Sequence, residues 1–181
     1  MSSILAILAL LIAPACGGGG GSDSGTGGSP GPLSASFVPD QPAPGANAVA
    51  LLEGPKANDI VNVYVTLTDT NGTLGTALEA VYDDARATYL GYARGAAYEQ
   101  GGNAPNYTVT SHPGRVLAAV VRSNGTTTNV IGTKAVLTLQ FRVKQVGTSA
   151  MTIENGAVYD GQNVPQPIAG ISWYGGALRG E

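Results

Sequence analysis

The chain has 181 residues, with 9 Lys and Arg against 12 Asp and Glu and a net charge of −3. Only 12% of its residues are charged, and no run gathers Lys and Arg, which excludes an electrostatic surface for nucleic acid. Much Gly, Thr, Ala, Val and Asn, with little Lys, Glu or Leu, is strand composition rather than helix composition.

The first element is "ILAILALLI", Ile4 to Ile12. It is too short to cross a bilayer as a helix, which takes about 20 residues, but it has the length of a signal-peptide core. Ala13, Pro14 and Ala15 follow, small or helix-breaking as a signal peptidase requires, and then Cys16. This order resembles the lipobox of bacterial lipoproteins, in which the cysteine sulfur receives a diacylglycerol. Two departures are visible: Ala13 stands where a leucine is usual, and "MSS" supplies no Lys or Arg.

Cys16 is the only cysteine and is followed by five glycines, so it has neither a disulfide partner in the chain nor a core to sit in. Residues 1–15 are expected to be a lipoprotein signal peptide and Cys16 a lipid attachment site. Residues 16–47 read as a tether. "GGGGGSDSGTGGSPGP" behaves as flexible coil, and Pro39, Pro42 and Pro44 keep the approach to the domain from being helical.

Strands follow from 48 onward. In "IVNVYVTLT", Ile60 to Thr68, Val61, Val63, Val65 and Leu67 alternate with Asn62, Tyr64, Thr66 and Thr68, the period of a half-buried strand. "DTNGT" carries an Asn-Gly turn signal. "AVLTLQFRVK" sends Leu137, Leu139, Phe141 and Val143 inward, and "SAMTIENGAVYD" does the same with Met151 and Ile153. "RVLAAVVRS" is apolar on both faces, which predicts a central strand with both faces covered. A short helical turn fits Ala93 to Glu99. Turn signals at this spacing predict an all-β sandwich over residues 48–181.

Little in the sequence points to catalysis. His112, the only histidine, sits in "SHPG" beside a turn and reads as a surface residue. Asp83 and Asp84 would point to opposite faces of a strand, so they form no acid/base pair; in a turn they would cap backbone N–H groups. "DTNG" and "DGQN" lack the full ligand series of a calcium loop. There are no paired histidines at metal spacing, no P-loop and no G-x-S-x-G. No enzymatic activity and no cofactor are expected. Tyr64, Tyr89, Tyr92, Tyr98, Trp173 and Tyr174 lie on strand faces or near loops. They either plug the ends of the sandwich or stack sugar rings, with "ISWYGG" the candidate for stacking.

The order of elements is that of a known family. "VNVYVTLTD", then "ALEAVYDDARATYLGY", then "GRVLAAVV", then "AVLTLQFRVKQVGTSAMTIENGAVYDGQN" resembles the cohesin domain. Tyr82-Asp83 opens the turn leading to "TYLGY", and "AVYDGQN" falls where cohesins have a Tyr-Asp and a turn. The resemblance implies a jelly-roll β-sandwich of about nine strands, related to certain carbohydrate-binding modules. It implies a protein-binding module whose partner is a dockerin-like domain, with calcium entering only through that partner. The partner would dock on the sheet holding "ALEAVYD" and "GRVLAAVV", with Tyr82 and Asp83 as candidate binding residues. Gly75 and Ala77 stand where one cohesin type carries Asn-x-Asp for dockerin, so that mode of contact is not expected here.

The sequence thus predicts a non-catalytic lipoprotein of the bacterial cell envelope. Its membrane contact is through the lipid alone, and a link to polysaccharide use follows from the resemblance. Gly17 replaces the aspartate that retains enteric lipoproteins in the inner membrane, which favours the outer membrane or cell surface. The alternatives are a polysaccharide-binding module, using Trp173 and Tyr174, and a structural envelope lipoprotein.

Overall fold

The computed structural model describes residues 32–99 and 104–181. The expected signal peptide, Cys16 and the tether as far as 31 lie outside the described residues. Ten strands form, β1 (Ala35–Pro39), β2 (Ala48–Ala57), β3 (Ile60–Tyr82), β4 (Ala87–Arg94), β5 (Pro105–His112), β6 (Arg115–Arg122), β7 (Thr128–Val143), β8 (Gly147–Asp160), β9 (Ser172–Tyr174) and β10 (Gly176–Gly180).

β3 organises the molecule. Its first half, Ile60 to Thr68, pairs with β2 and β7, and its second half, Gly75 to Tyr82, pairs with β6 and β8. One strand therefore belongs to two layers. The first layer runs β4–β7–β3–β2–β9 and the second β1–β10–β8–β3–β6–β5. The passage between them is "DTNGT", where a tight turn was expected. The register slips at Thr68/Thr70 and again at Thr70/Thr73, with Asp69 and Gly72 at positive φ, 41° and 67°. A strand that changes sheets needs such a corner, and Asn-Gly supplies the same left-handed backbone to a corner as to a hairpin.

The slips also change which residues point inward. Before the corner the core side chains are Val61, Val63, Val65 and Leu67; after it they are Leu78, Ala80 and Tyr82. Leu137, Leu139, Phe141 and Val143 of β7 and Met151 of β8 face them, as the alternation predicted. Thr66 and Thr68 are buried as well, their hydroxyls bonded to the Ala50 carbonyl and to Thr133 at 3.0 Å each.

Three expectations differ from what forms. The sandwich begins at Ala35, inside the stretch read as tether, because Ala35 and Phe37 alternate inward and β1 pairs with β10 along its whole length. Residues 96–99 make a turn rather than helix. They drop Tyr98 into the end of the core, where its hydroxyl lies 2.6 Å from Thr76 Oγ1 and burial pushes its pKa up to about 12. Finally, β6 is central, between β3 and β5, but only one of its faces is covered. Val116, Ala118 and Val120 face the core, while Leu117 and Val121 are 38% and 40% exposed.

Candidate functional site

The uncovered face of β6 belongs to a four-strand surface, β8–β3–β6–β5, whose outward residues stand in register. One row reads Tyr159, Gly75, Val121 and Asn106; the next reads Ala157, Ala77, Ala119 and Thr108. Beyond them Glu79 pairs with Leu117, and Leu117 with Thr110. Val81 then leads to Arg115 and His112. Alternation along each strand sends these side chains to one face and Leu78, Ala80, Val116 and Ala118 to the core.

The face has an apolar centre and a charged end. The alanine row sinks between Leu117 on one side and Tyr159 and Val121 on the other. A shallow hollow of about 470 Å³ lies over Ala77, Ala119, Leu117, Thr108 and Thr110. A second, of about 210 Å³, is lined by Leu74, Gly75, Val121, Tyr159 and Pro165. At the charged end Glu79 accepts hydrogen bonds from Asn155 Nδ2 at 2.7 Å and Arg115 at 2.9 Å. Those two bonds, Asn155 first, hold its carboxyl below the ordinary 4.5. Arg115 also reaches Glu154 at 4.0 Å. This network links β3, β6 and β8 at the charged end.

Gly75 and Ala77, the positions weighed against Asn-x-Asp, both lie on this face. A Cβ at Gly75 would sit 2.6 Å from the Val120 carbonyl oxygen, so no side chain fits there without moving backbone. Position 75 is therefore closed to an asparagine by sheet geometry.

The other singled-out residues lie elsewhere. Tyr82 belongs to the core: its ring meets Phe141 edge-on at 5.0 Å, and burial raises its hydroxyl pKa. Asp83 caps the β3–β4 turn, accepting the Ala85 amide at 2.9 Å, and pairs with Arg86 at 3.6 Å. Trp173 and Tyr174 sit on β9, parallel to β2. The indole lies on Gly156, where an added Cβ would come within 2.6 Å of the ring. As strand neighbours, Trp173 and Tyr174 point to opposite faces and form no joint platform. His112 is exposed at the tip of the β5–β6 hairpin, closed by Pro113 and Gly114 at φ 73°. Asp160 accepts the amides of Gln162 and Gln166 at 3.3 and 2.9 Å. No group of three His, Cys, Asp or Glu that could hold a metal exists among the described residues.

The sequence pattern of the Cohesin domain family matches residues 48–169. The chain belongs to the cohesin family. A type II cohesin domain from the cellulosome of Acetivibrio cellulolyticus superposes with a TM-score of 0.56 at 15% identity, covering 81% of this chain and 94% of that one. A non-cellulosomal cohesin from the hyperthermophilic archaeon Archaeoglobus fulgidus gives 0.52 at 15% identity, over 78% of this chain and 88% of that one. The third cohesin of ScaC from Acetivibrio cellulolyticus, solved in complex with the ScaB dockerin, gives 0.53 at 15% identity, over 65% and 86%. At these identities the likeness is one of fold. No curated protein matches the chain.

The sheet that carries these rows was legible through the family resemblance. Its open outer surface was not, because "RVLAAVVR" reads alike whether its second face meets a helix, another sheet or a partner. The signal that distinguishes them is the matching small-residue pattern on β3, Gly75 and Ala77, which leaves the neighbouring Leu117 and Val121 standing above the surface.

Proposed function

We propose that this cohesin is a non-catalytic docking module that holds a dockerin-type protein on the outer face of β8–β3–β6–β5. The observation that carries the reading is the in-register apolar centre with Leu117 and Val121 exposed, next to the ordered Glu79–Arg115–Glu154 network. An apolar centre with a polar rim is the anatomy of a protein interface. Calcium, where needed, enters with the partner. Cys16 carries the lipid that holds the module at the bacterial cell envelope, and the glycine-rich segment after it gives the module reach. In that setting the module would recruit proteins that act on polysaccharides.

The test uses the single thiol. The chain, produced from Cys16 onward and so without its lipid, is coupled to a resin through the free Cys16 thiol, washed with calcium-containing lysate of its source, and eluted with a chelator. A dockerin-bearing protein is expected in the eluate, and a Leu117→Arg column is expected to release none. An eluate empty of any such protein from the unaltered chain overturns the reading. Metabolic labelling with palmitate checks the anchor: label on the chain, lost in Cys16→Ser, is the expected result.

A further inference from the structure

Of the eight tyrosines, four gather along one seam of the sandwich, where β4 of the first layer faces β5 of the second without pairing to it. These are Tyr82, Tyr89, Tyr92 and Tyr107. Tyr89 and Tyr92 are three residues apart, a spacing that sends strand residues to opposite faces. A bulge between Tyr89 and Gly91 takes up Leu90 and reverses this. Tyr89 pairs with Phe141 and Tyr92 with Leu139, two core residues on the same face of β7. Both phenols therefore reach the seam. Bulges that re-aim a side chain occur next to functional sites.

The seam is rigid. Tyr92, 44% exposed, stacks on Tyr107 with ring centroids 6.1 Å apart and 28° between planes. Arg94 lies 5.5 Å over the Tyr107 ring. The Tyr107 hydroxyl donates to the Gly95 carbonyl at 2.9 Å and accepts the Gly95 amide at 3.1 Å. At the Tyr89 end the seam opens into a shallow, open hollow of about 340 Å³, whose wall includes Asp84, Thr88, Ser111, His112 and Lys144. That volume falls in the range of small-ligand sites, about 300–1,000 Å³. Lys144 donates to the Asp84 backbone carbonyl, and neither it nor the Asp84 carboxylate forms an ion pair among the described residues.

We propose that this seam binds a neutral oligosaccharide. The terminal ring enters the hollow with its C–H face on Tyr89, and the next ring meets Tyr92. The wall offers one carboxylate, one ammonium, an imidazole and two aliphatic hydroxyls beside the Tyr82 and Tyr89 phenols, so acceptors and donors are mixed and the charges balance. Vicinal hydroxyls of an uncharged sugar match that set. An acidic sugar would bring its carboxylate against Asp84, and a phosphate would call for more than one cation. The site meets the docking face at His112, the one residue they share, and otherwise uses other side chains; it does not rest on the docking reading.

The test titrates the full chain by calorimetry with cellohexaose, xylohexaose and mannohexaose, and with hexagalacturonate for comparison, while NMR follows the His112 imidazole. At least one neutral glycan is expected to bind more tightly than about 1 mM and to shift His112. Asp84→Asn and His112→Ala, both at exposed positions, are each expected to weaken it about tenfold, the loss of a hydrogen bond to a polar or charged group. Tyr89→Phe should keep the stacking and most of the affinity. Leu117→Arg should leave sugar binding unchanged. Silence with all three neutral glycans overturns the proposal. So does tighter binding of hexagalacturonate, or unchanged affinity in both Asp84→Asn and His112→Ala.

Discussion

The two halves of β3 carry the two outer faces of this molecule, and the faces differ. On the first half, Asn62 and Tyr64 point out beside Gln140 and Thr138 of β7. The Asn62 and Gln140 amides bond to one another at 3.3 Å, and Asn62 donates to the Pro55 carbonyl at 2.7 Å. On the second half, Gly75, Ala77 and Val81 point out beside Val121, Ala119 and Arg115. The first face satisfies itself with polar side chains that water can also serve. The second leaves apolar surface uncovered in the described chain, and contiguous exposed apolar surface marks an interaction site. Alternation of apolar and polar residues is thus the mark of a sheet face finished by solvent, and its loss on one half of a single strand sets that face apart.

Five substitutions bear on that contrast. The largest effect is expected where both layers meet: Phe141→Ala removes a fully buried ring that touches Tyr82 and Tyr89. It should cost about 3–5 kcal/mol in denaturant unfolding, with both faces lost together. Gly75→Asn should cost about 1–3 kcal/mol, the range for forcing extra atoms into a packed site, because its Cβ meets the Val120 carbonyl. The same substitution at Ala77, which points outward, should be tolerated within about 0.5 kcal/mol; equal costs at the two sites would break the geometric account. Ala119→Arg should likewise leave the melting temperature almost unchanged while reducing partner capture by tenfold or more, in the manner of a central interface residue. Gln140→Arg on the opposite face should change neither, and a loss of capture there would move the docking site to the wrong layer.

The smallest effects are in pH. Two hydrogen bonds hold Glu79 below 4.5 in the folded chain, so the folded state binds its proton less tightly than the unfolded state does. Its contribution is present above that value and is lost as pH falls through the folded pKa. Glu79→Gln should flatten the acid side of a stability–pH profile, and the docking face should lose order there before the opposite face does. Tyr98 works in the reverse direction. With its pKa raised from 10.0 to about 12, it stabilises the fold below pH 10 and loses that contribution as pH climbs towards 12. Tyr98→Phe should remove that alkaline slope.

Much of the fold was readable because the rules that formed it are local. Val61 through Leu67 and Leu137 through Val143 alternate, and alternation is what burial of one sheet face imposes. The misreadings are all places where two structures share one local signal. Asn71-Gly72 serves a corner as well as it serves a hairpin, and only the partners of the flanking residues tell them apart. Ala35 to Pro39 was hidden among prolines because an edge strand of five residues needs only two inward side chains, Ala35 and Phe37. The bulge that turns Tyr89 and Tyr92 to the same side leaves no trace in "TYLGYA", since which residue is extra depends on how β7 lies beside it. For the candidate site, the family resemblance located the sheet, whereas its chemistry followed from the registered rows of side chains, which no single segment displays.

The pairing of β1 with β10 has a mechanical consequence. Ser34 and Glu181 exchange backbone hydrogen bonds at 2.8 and 2.9 Å, and the five residues of β1 lie antiparallel to those of β10, which in turn lies on β8. The proposed docking face shares this sheet. A pull on a bound partner, resisted by a tether on the N-terminal side of Ser34, would travel through β8, β10 and β1 without crossing the core. Along the strand axis, the rungs between β1 and β10 would share the force and give way together. Across it, they would open one at a time from the Ser34 end. The direction of tension would therefore decide how long β1 stays on the sheet.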